Sequence, residues 1–154
     1  MSFSVDQIDH VEFFVPDRYE AAAWYKRVLG LEILRAYEEW AREGGGPLMI
    51  SSDSGRTKLA LFEGEPQGAK PTSGYHLVAF HVDGPGFAEF LRRLSGQGLK
   101  DHTGKNVSAA AVVDHGKAYS IYFSDPYGHR LEVTTYDVER IRSLLDRLDD
   151  PKSG

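Results

Sequence analysis

The chain contains no cysteine, which excludes disulfides, thiolate-held zinc and a cysteine nucleophile, and fits a reducing compartment. It has no apolar run of transmembrane length. Its opening residues, M-S-F-S-V-D-Q, lack the charged and apolar regions of a signal peptide. No cluster of lysine or arginine occurs, and the net charge is -5, so neither nucleic acid nor an anionic membrane surface is an expected partner. The motifs H-E-x-x-H, G-x-x-x-x-G-K-[ST] and G-x-S-x-G are also missing. Gly44-Gly45-Gly46 lacks the lysine and following helix of a phosphate loop. These absences leave a soluble, cytoplasmic protein acting on a small molecule as the expectation.

What is present is an ordinary globular composition, 41% hydrophobic and 27% charged over 154 residues, the size of one domain. Ile8 to Val15 alternates as a strand, with Val11, Phe13 and Val15 on one face and His10, Glu12 and Phe14 on the other. Asp17 is placed to cap a helix over Arg18 to Leu29 that ends at Gly30. Strands are predicted over Leu31 to Trp40, Leu48 to Ser51 and Thr57 to Phe62, the last two joined by the turn Ser52-Asp53-Ser54-Gly55. A linker rich in glycine and proline follows over Glu63 to Gly74.

The pattern then begins again. His76 to Asp83 reads as a strand and Phe87 to Leu94 as a helix. Further strands are predicted at Leu99 to Asp101, Val107 to Val113, Tyr119 to Phe123 and Arg130 to Thr135. His10 precedes Asp17 by seven residues, as His76 precedes Asp83. The chain therefore reads as a duplicated βαβββ unit of α+β class: module one over about 7–64, a linker over 65–74 and module two over about 75–137. An amphipathic helix over 137–149, with Val138, Ile141, Leu144, Leu145 and Leu148 on one face, packs on the body or on a second subunit.

The stretch Asp114 to Asp137 organises the rest. Tyr119 to Phe123 and Arg130 to Thr135 are strands around Asp125-Pro126-Tyr127-Gly128, in which proline fixes one turn position and glycine relieves another. Glu132 sits between Leu131 and Val133 and must point to the opposite face of the sheet. If that face is enclosed, its charge needs a cation or several donors. The spacing of His115, Ile121-Tyr122, Asp125-Pro126-x-Gly128 and Glu132 resembles the signature of extradiol ring-cleavage dioxygenases. These belong to the vicinal oxygen chelate superfamily, with glyoxalase I, fosfomycin-resistance enzymes and bleomycin-binding proteins. The resemblance covers about Ile8 to Asp137 and implies a single domain of two curved sheets forming a cup around a metal.

The resemblance makes His10, in the register D-H-V, the first metal ligand and Glu132 another. The ligand from module two is His76: counting to Asp83 sets it opposite His10 without a gap, and under the other alignment a one-residue bulge restores it. Matching Val15 to Val82 instead puts Leu77 at that position, with His81 on its face as the fallback. The position of a fourth ligand falls at Ala60, which cannot ligate, although Glu12 faces the same way as His10. Two imidazoles and a carboxylate make the facial triad of non-haem iron oxygenases, so Fe(II) or Mn(II) is the expected cofactor, with zinc and nickel as alternatives. His115 is implied as acid/base and Tyr122 as a hydrogen-bond donor. His102 and His129 read as surface loop residues. The implied function is an extradiol-type dioxygenase acting on a small catechol-like substrate, as a homodimer. The alternatives are a glyoxalase-like lyase, isomerase or thiol transferase, and a non-catalytic drug- or metabolite-binding protein.

Overall fold

The computed structural model describes residues 3–65 and 76–148. Its chain divides into two compact units, Met1–Ala69 and Lys70–Gly154. Most of the predicted linker and the residues after Leu148 lie outside the described residues. Each unit is built on a mixed, four-stranded sheet.

In the first unit β1 (His10–Val15) leads into α1 (Arg18–Leu29), then β2 (Glu32–Ile33), α2 (Glu38–Glu43), β3 (Leu48–Ser51) and β4 (Lys58–Glu63). The sheet order is β1-β4-β3-β2, with β1 parallel to β4 and the other pairs antiparallel. α1 has the ends its sequence predicts. The Asp17 side chain accepts from the backbone N–H groups of Tyr19 and Glu20, each at 2.9 Å, and Gly30 closes the helix at φ 71°. Phe13, Val15, Leu48, Ile50, Leu59 and Leu61 are buried, as are Ala21, Ala22, Tyr25 and Val28 of α1. His10, Glu12 and Phe14 alternate away from that core.

The strand predicted over Leu31 to Trp40 shortens to Glu32–Ile33, and a turn of 3-10 helix leads into α2. The reason is Glu38. Its carboxylate, 5% exposed, takes Arg35 Nη1 at 2.8 Å, Arg42 Nη2 at 2.9 Å and the Tyr19 hydroxyl at 3.1 Å. A helical turn brings residues three and four apart together, and a strand would separate them.

The second unit repeats the plan. β5 (Leu77–His81) leads into α3 (Gly84–Gln97), followed by β6 (Val113–Asp114), β7 (Tyr119–Ser124), β8 (Arg130–Thr135) and α4 (Val138–Leu148). The order is β5-β8-β7-β6, and β5 again runs parallel to β8. α3 starts three residues ahead of the predicted Phe87, because Asp83 caps Gly86 N at 2.8 Å and a proline sits in the first turn. The predicted strand over Val107 to Val113 is mostly irregular. Ala109–Ala111 forms a single 3-10 turn and pairing begins only at Val113. Leu99 to Asp101 contributes only isolated bridges from Lys100 to Asn106 and Ser124.

α4 packs within its own unit. Ile141 is fully buried, and a Cβ at Gly84 would collide with Asp137 and Arg140, so the first turn of α3 closes against the start of α4. Among the described residues no helix is long and apolar enough to cross a membrane.

Arg35 first, and then Arg42, hold the Glu38 pKa down to about 2. The sign follows from linkage: a depressed carboxyl pKa stabilises the fold fully above the ordinary value of about 4.5 and loses that contribution as pH falls toward 2. Urea midpoints measured from pH 7 to pH 2 should be lower for Glu38→Gln at neutral pH. The gap from wild type should close between pH 4.5 and 2.

Candidate active site

The second sheet turns one face toward its helices, and the other is open only in part: Ser120 and Thr134 are buried on it, while Tyr122, Ser124, Arg130 and Glu132 are half-buried. Ile121, Phe123, Leu131 and Val133 are buried on the helix side, where Phe123 lies against Phe90 of α3 with ring centroids 5.6 Å apart. The intervening residues, Ser120, Tyr122 and Ser124 on β7 and Arg130, Glu132 and Thr134 on β8, share the open face. Tyr122 stands directly opposite Glu132, and Ala79 of β5 flanks Glu132 on its other side.

The hairpin turn sets this register. Asp125, with its side chain fully buried, accepts from Tyr127 N at 3.0 Å, His129 N at 2.8 Å and His129 Nδ1 at 2.6 Å. Gly128 takes φ 94°, a conformation that glycine adopts without strain. His129, predicted as a surface residue, is therefore the partner of a buried carboxylate, with its side chain 23% exposed. The D-P-Y-G turn was legible in the sequence, but its closure by the next histidine was not.

Glu132 accepts a 2.6 Å hydrogen bond at Oε1 from the Ser120 hydroxyl. Thr134 Oγ1 lies 3.0 Å from Ser120 Oγ and donates to the Tyr119 carbonyl at 3.3 Å. Among the described residues Ser120 is the one hydrogen-bond partner of Glu132, so Oε2 is uncommitted. The sequence reading missed Ser120. The available signal was its spacing, two residues before Tyr122 and hence on the same face.

His115 lies in the turn between β6 and β7, where Asp114 shapes the backbone. Asp114 accepts from Gly116 N at 2.7 Å and from the Tyr119 hydroxyl at 3.0 Å, and these bonds, in that order, hold its carboxyl below the usual range. From this turn His115 Nε2 reaches the Tyr122 hydroxyl at 2.9 Å, with the two rings edge-to-face. Glu132, Tyr122 and His115 thus form a sequence of neighbours on one sheet.

In the first unit His10 opens β1. Its Nδ1 lies 2.8 Å from Asp9 Oδ2, and Asp9 Oδ1 takes Lys58 Nζ at 2.8 Å. Lys58 first, then His10, depresses the Asp9 pKa. An ionised Asp9 can only accept, so Nδ1 carries a proton and Nε2 is the nitrogen left to face a ligand. That carboxylate-to-imidazole bond is the usual outer support of a metal-binding histidine. Glu12 Oε1 is 3.7 Å from Nε2, and the residue opposite Glu12 is the buried Ala60.

His76 lies immediately before β5 and is exposed. β5 pairs with β8 without interruption from Leu77 to His81, with no bulge. Leu77 stands opposite Arg130 as His10 stands opposite Lys58, and Ala79 stands opposite Glu132 as Glu12 stands opposite Ala60. The register therefore gives Leu77 the place in the second repeat that His10 has in the first. His81 shares the open face and stacks on Tyr136, with centroids 5.8 Å apart. Among the described residues no group of three or more His, Asp or Glu side chains is gathered as a metal cage.

The chain belongs to the Glyoxalase/Bleomycin resistance protein/Dioxygenase superfamily, whose sequence profile matches residues 7–133. Members of this superfamily typically use divalent metals, and they include lyases and dioxygenases. Among solved structures, one similar chain is a Bacillus anthracis protein described as of the glyoxalase family. It is 26% identical, with 88% of this chain and 99% of that chain covered and a TM-score of 0.61. The oxidase ChaP-H2 is 21% identical over 86% of this chain and 94% of its own, with a TM-score of 0.62. The lactoylglutathione lyase of Agrobacterium tumefaciens is 20% identical over 87% and 96%, with a TM-score of 0.57. No curated protein matches the sequence.

Removing the Asp125 carboxylate leaves several buried donors unpaired. Asp125→Ala should cost about 2–4 kcal/mol in urea denaturation. Amide exchange should show the β7–β8 hairpin losing protection ahead of α3.

Proposed function

We propose that the protein is a metal-dependent oxygenase of extradiol type, acting on a small catechol-like substrate. The observation that carries this reading is the 2.9 Å hydrogen bond between His115 Nε2 and the Tyr122 hydroxyl, made directly beside the Glu132 carboxylate. A carboxylate in the interior of a strand, with an acid/base pair at its side, is suited to binding a diol and managing its protons.

The donor chemistry fits a hard or borderline divalent ion. Glu132 has one oxygen held by Ser120 and the other uncommitted, and His10 has its Nδ1 tied to Asp9. Glu132 and His10 are the proposed ligands; because β5 has no bulge to realign His76, His81, on the face of Glu132, is the proposed second imidazole. Fe(II) and Mn(II) suit this set. When bound, such an ion would supply Lewis acidity and a template for substrate and O₂. The chain's own residues would do the rest. With substrate bound, Tyr122 would turn its hydroxyl hydrogen from His115 to a substrate oxygen. That would free the lone pair of His115 Nε2 to take a substrate proton and return it to the product. Ser120 would keep Glu132 from rotating.

A specific observation favours a second reading, a non-catalytic binding protein: Leu77 stands where the repeat would need an imidazole. Metal analysis and oxygen uptake separate the two. On the first reading, purified protein takes up Fe(II) or Mn(II), and the iron-loaded protein consumes O₂ with at least one member of a catechol panel. Glu132→Ala and His10→Ala each weaken metal binding by about 10- to 100-fold in a titration. Tyr122→Phe retains the metal and lowers kcat by about 100-fold or more. A protein that takes up no metal, or takes it up and consumes no O₂ with any catechol, is not this enzyme.

A further inference from the structure

Beyond Tyr122, toward the start of β8, the open face of the second sheet dips into a small recess. Its walls include Leu77, Asp101, His102, Tyr122, Ser124 and Arg130, and its free volume is about 20 Å³. That is room for a water or for the end of a carboxylate, and too little for a ring. The recess is therefore a subsite beside the proposed reacting groups.

Its electrostatics run against those of the chain as a whole, which carries a net charge of -5. Arg130 stands between Leu77 on β5 and Ser124 on β7, neither of which can neutralise it. Among the described residues no carboxylate pairs with its guanidinium. The acid in the wall, Asp101, is spent on its own loop. Its Oδ1 accepts from Thr103 N at 2.8 Å, Thr103 Oγ1 at 2.6 Å and Lys105 N at 3.0 Å. Glu132 lies two residues along β8 and is held by Ser120. The recess is thus lined by a cation that lacks an anion, together with the hydroxyl-bearing Ser124 and Tyr122 and with His102. A guanidinium with adjacent hydroxyls matches the planar, two-oxygen shape of a carboxylate.

We propose that this recess is a carboxylate subsite, so that the substrate class is an anionic, carboxylate-bearing catechol rather than a neutral one. The carboxylate pairs with Arg130 and accepts from Ser124, which leaves the hydroxylated end of the molecule toward Tyr122. This inference rests on the reading that Tyr122 and Glu132 mark the reacting end. A neutral catechol leaves Arg130 without a partner and gains nothing from it.

The test is calorimetric binding to the full chain, free of metal and under nitrogen, with 3,4-dihydroxybenzoate and catechol as a matched pair. Wild type should bind the carboxylate at least about tenfold more tightly than catechol, and Arg130→Gln should bind both with the affinity of catechol. Arg130→Lys, which keeps the charge without the fork, should retain part of the preference and provides a second variant should the glutamine variant misfold. Circular dichroism reports folding in each case. Equal affinity of wild type for the two compounds, binding of neither, or an unchanged preference in the folded variants would overturn the subsite. Because this assay contains neither metal nor O₂, a protein that shows the preference but consumes no O₂ would lose the ring-cleavage reading and keep the subsite.

Discussion

The site depends on one buried carboxylate that is not itself proposed to react. Asp125 gathers Tyr127 N, His129 N and the His129 ring at the tip of the last hairpin, and so fixes how β7 and β8 slide against each other. The side-chain period of a strand is two. A slip of one residue would send Glu132 to the helix side and bring Leu131 or Val133 out in its place. With the register fixed, Tyr122 faces Glu132, Ser120 reaches its Oε1, and Arg130 sits two residues along β8 on the same face. Burial of the helix-side residues Ile121, Phe123, Leu131 and Val133 enforces the same register from the other face.

The two units show one scaffold carrying different chemistry. In each, the first strand runs parallel to the last. The repeats differ on the face that carries His10 in one and Glu132 in the other. The first unit has His10 and Ala60 where the second has Leu77 and Glu132. Phe14 is opposite Phe62 and the rings stack at 5.8 Å. The equivalent His81 is opposite Thr134 and turns to Tyr136 instead. Neither repeat carries a donor at both corresponding positions.

Charge is used locally rather than globally. Glu38 ties α2 to the preceding turn through Arg35 and braces the helix itself through Arg42, Lys58 and Asp9 orient His10, and Asp101 and Asp114 each shape their own turns. These carboxylates are spent on backbone or on neighbouring cations. Glu132 and Arg130 stand apart because no such partner saturates them among the described residues. Groups left with free valence on an open sheet face are the ones available to a ligand.

The sequence by itself determined the duplication, the ends of α1, the D-P-Y-G turn and the face to which Glu132 points, because each follows from spacing within a few residues. It misjudged the segment from Leu31 to Trp40, where the pull of Arg35, Arg42 and Tyr19 on Glu38 outweighs strand propensity. It also left open whether a bulge realigned His76. That choice, the closure of the turn by His129, the clasp of Ser120 on Glu132 and the contact of His115 with Tyr122 were decided only by the tertiary structure. All of them join residues on different strands or turns, and such pairings depend on hydrogen-bond register between segments that local sequence does not encode.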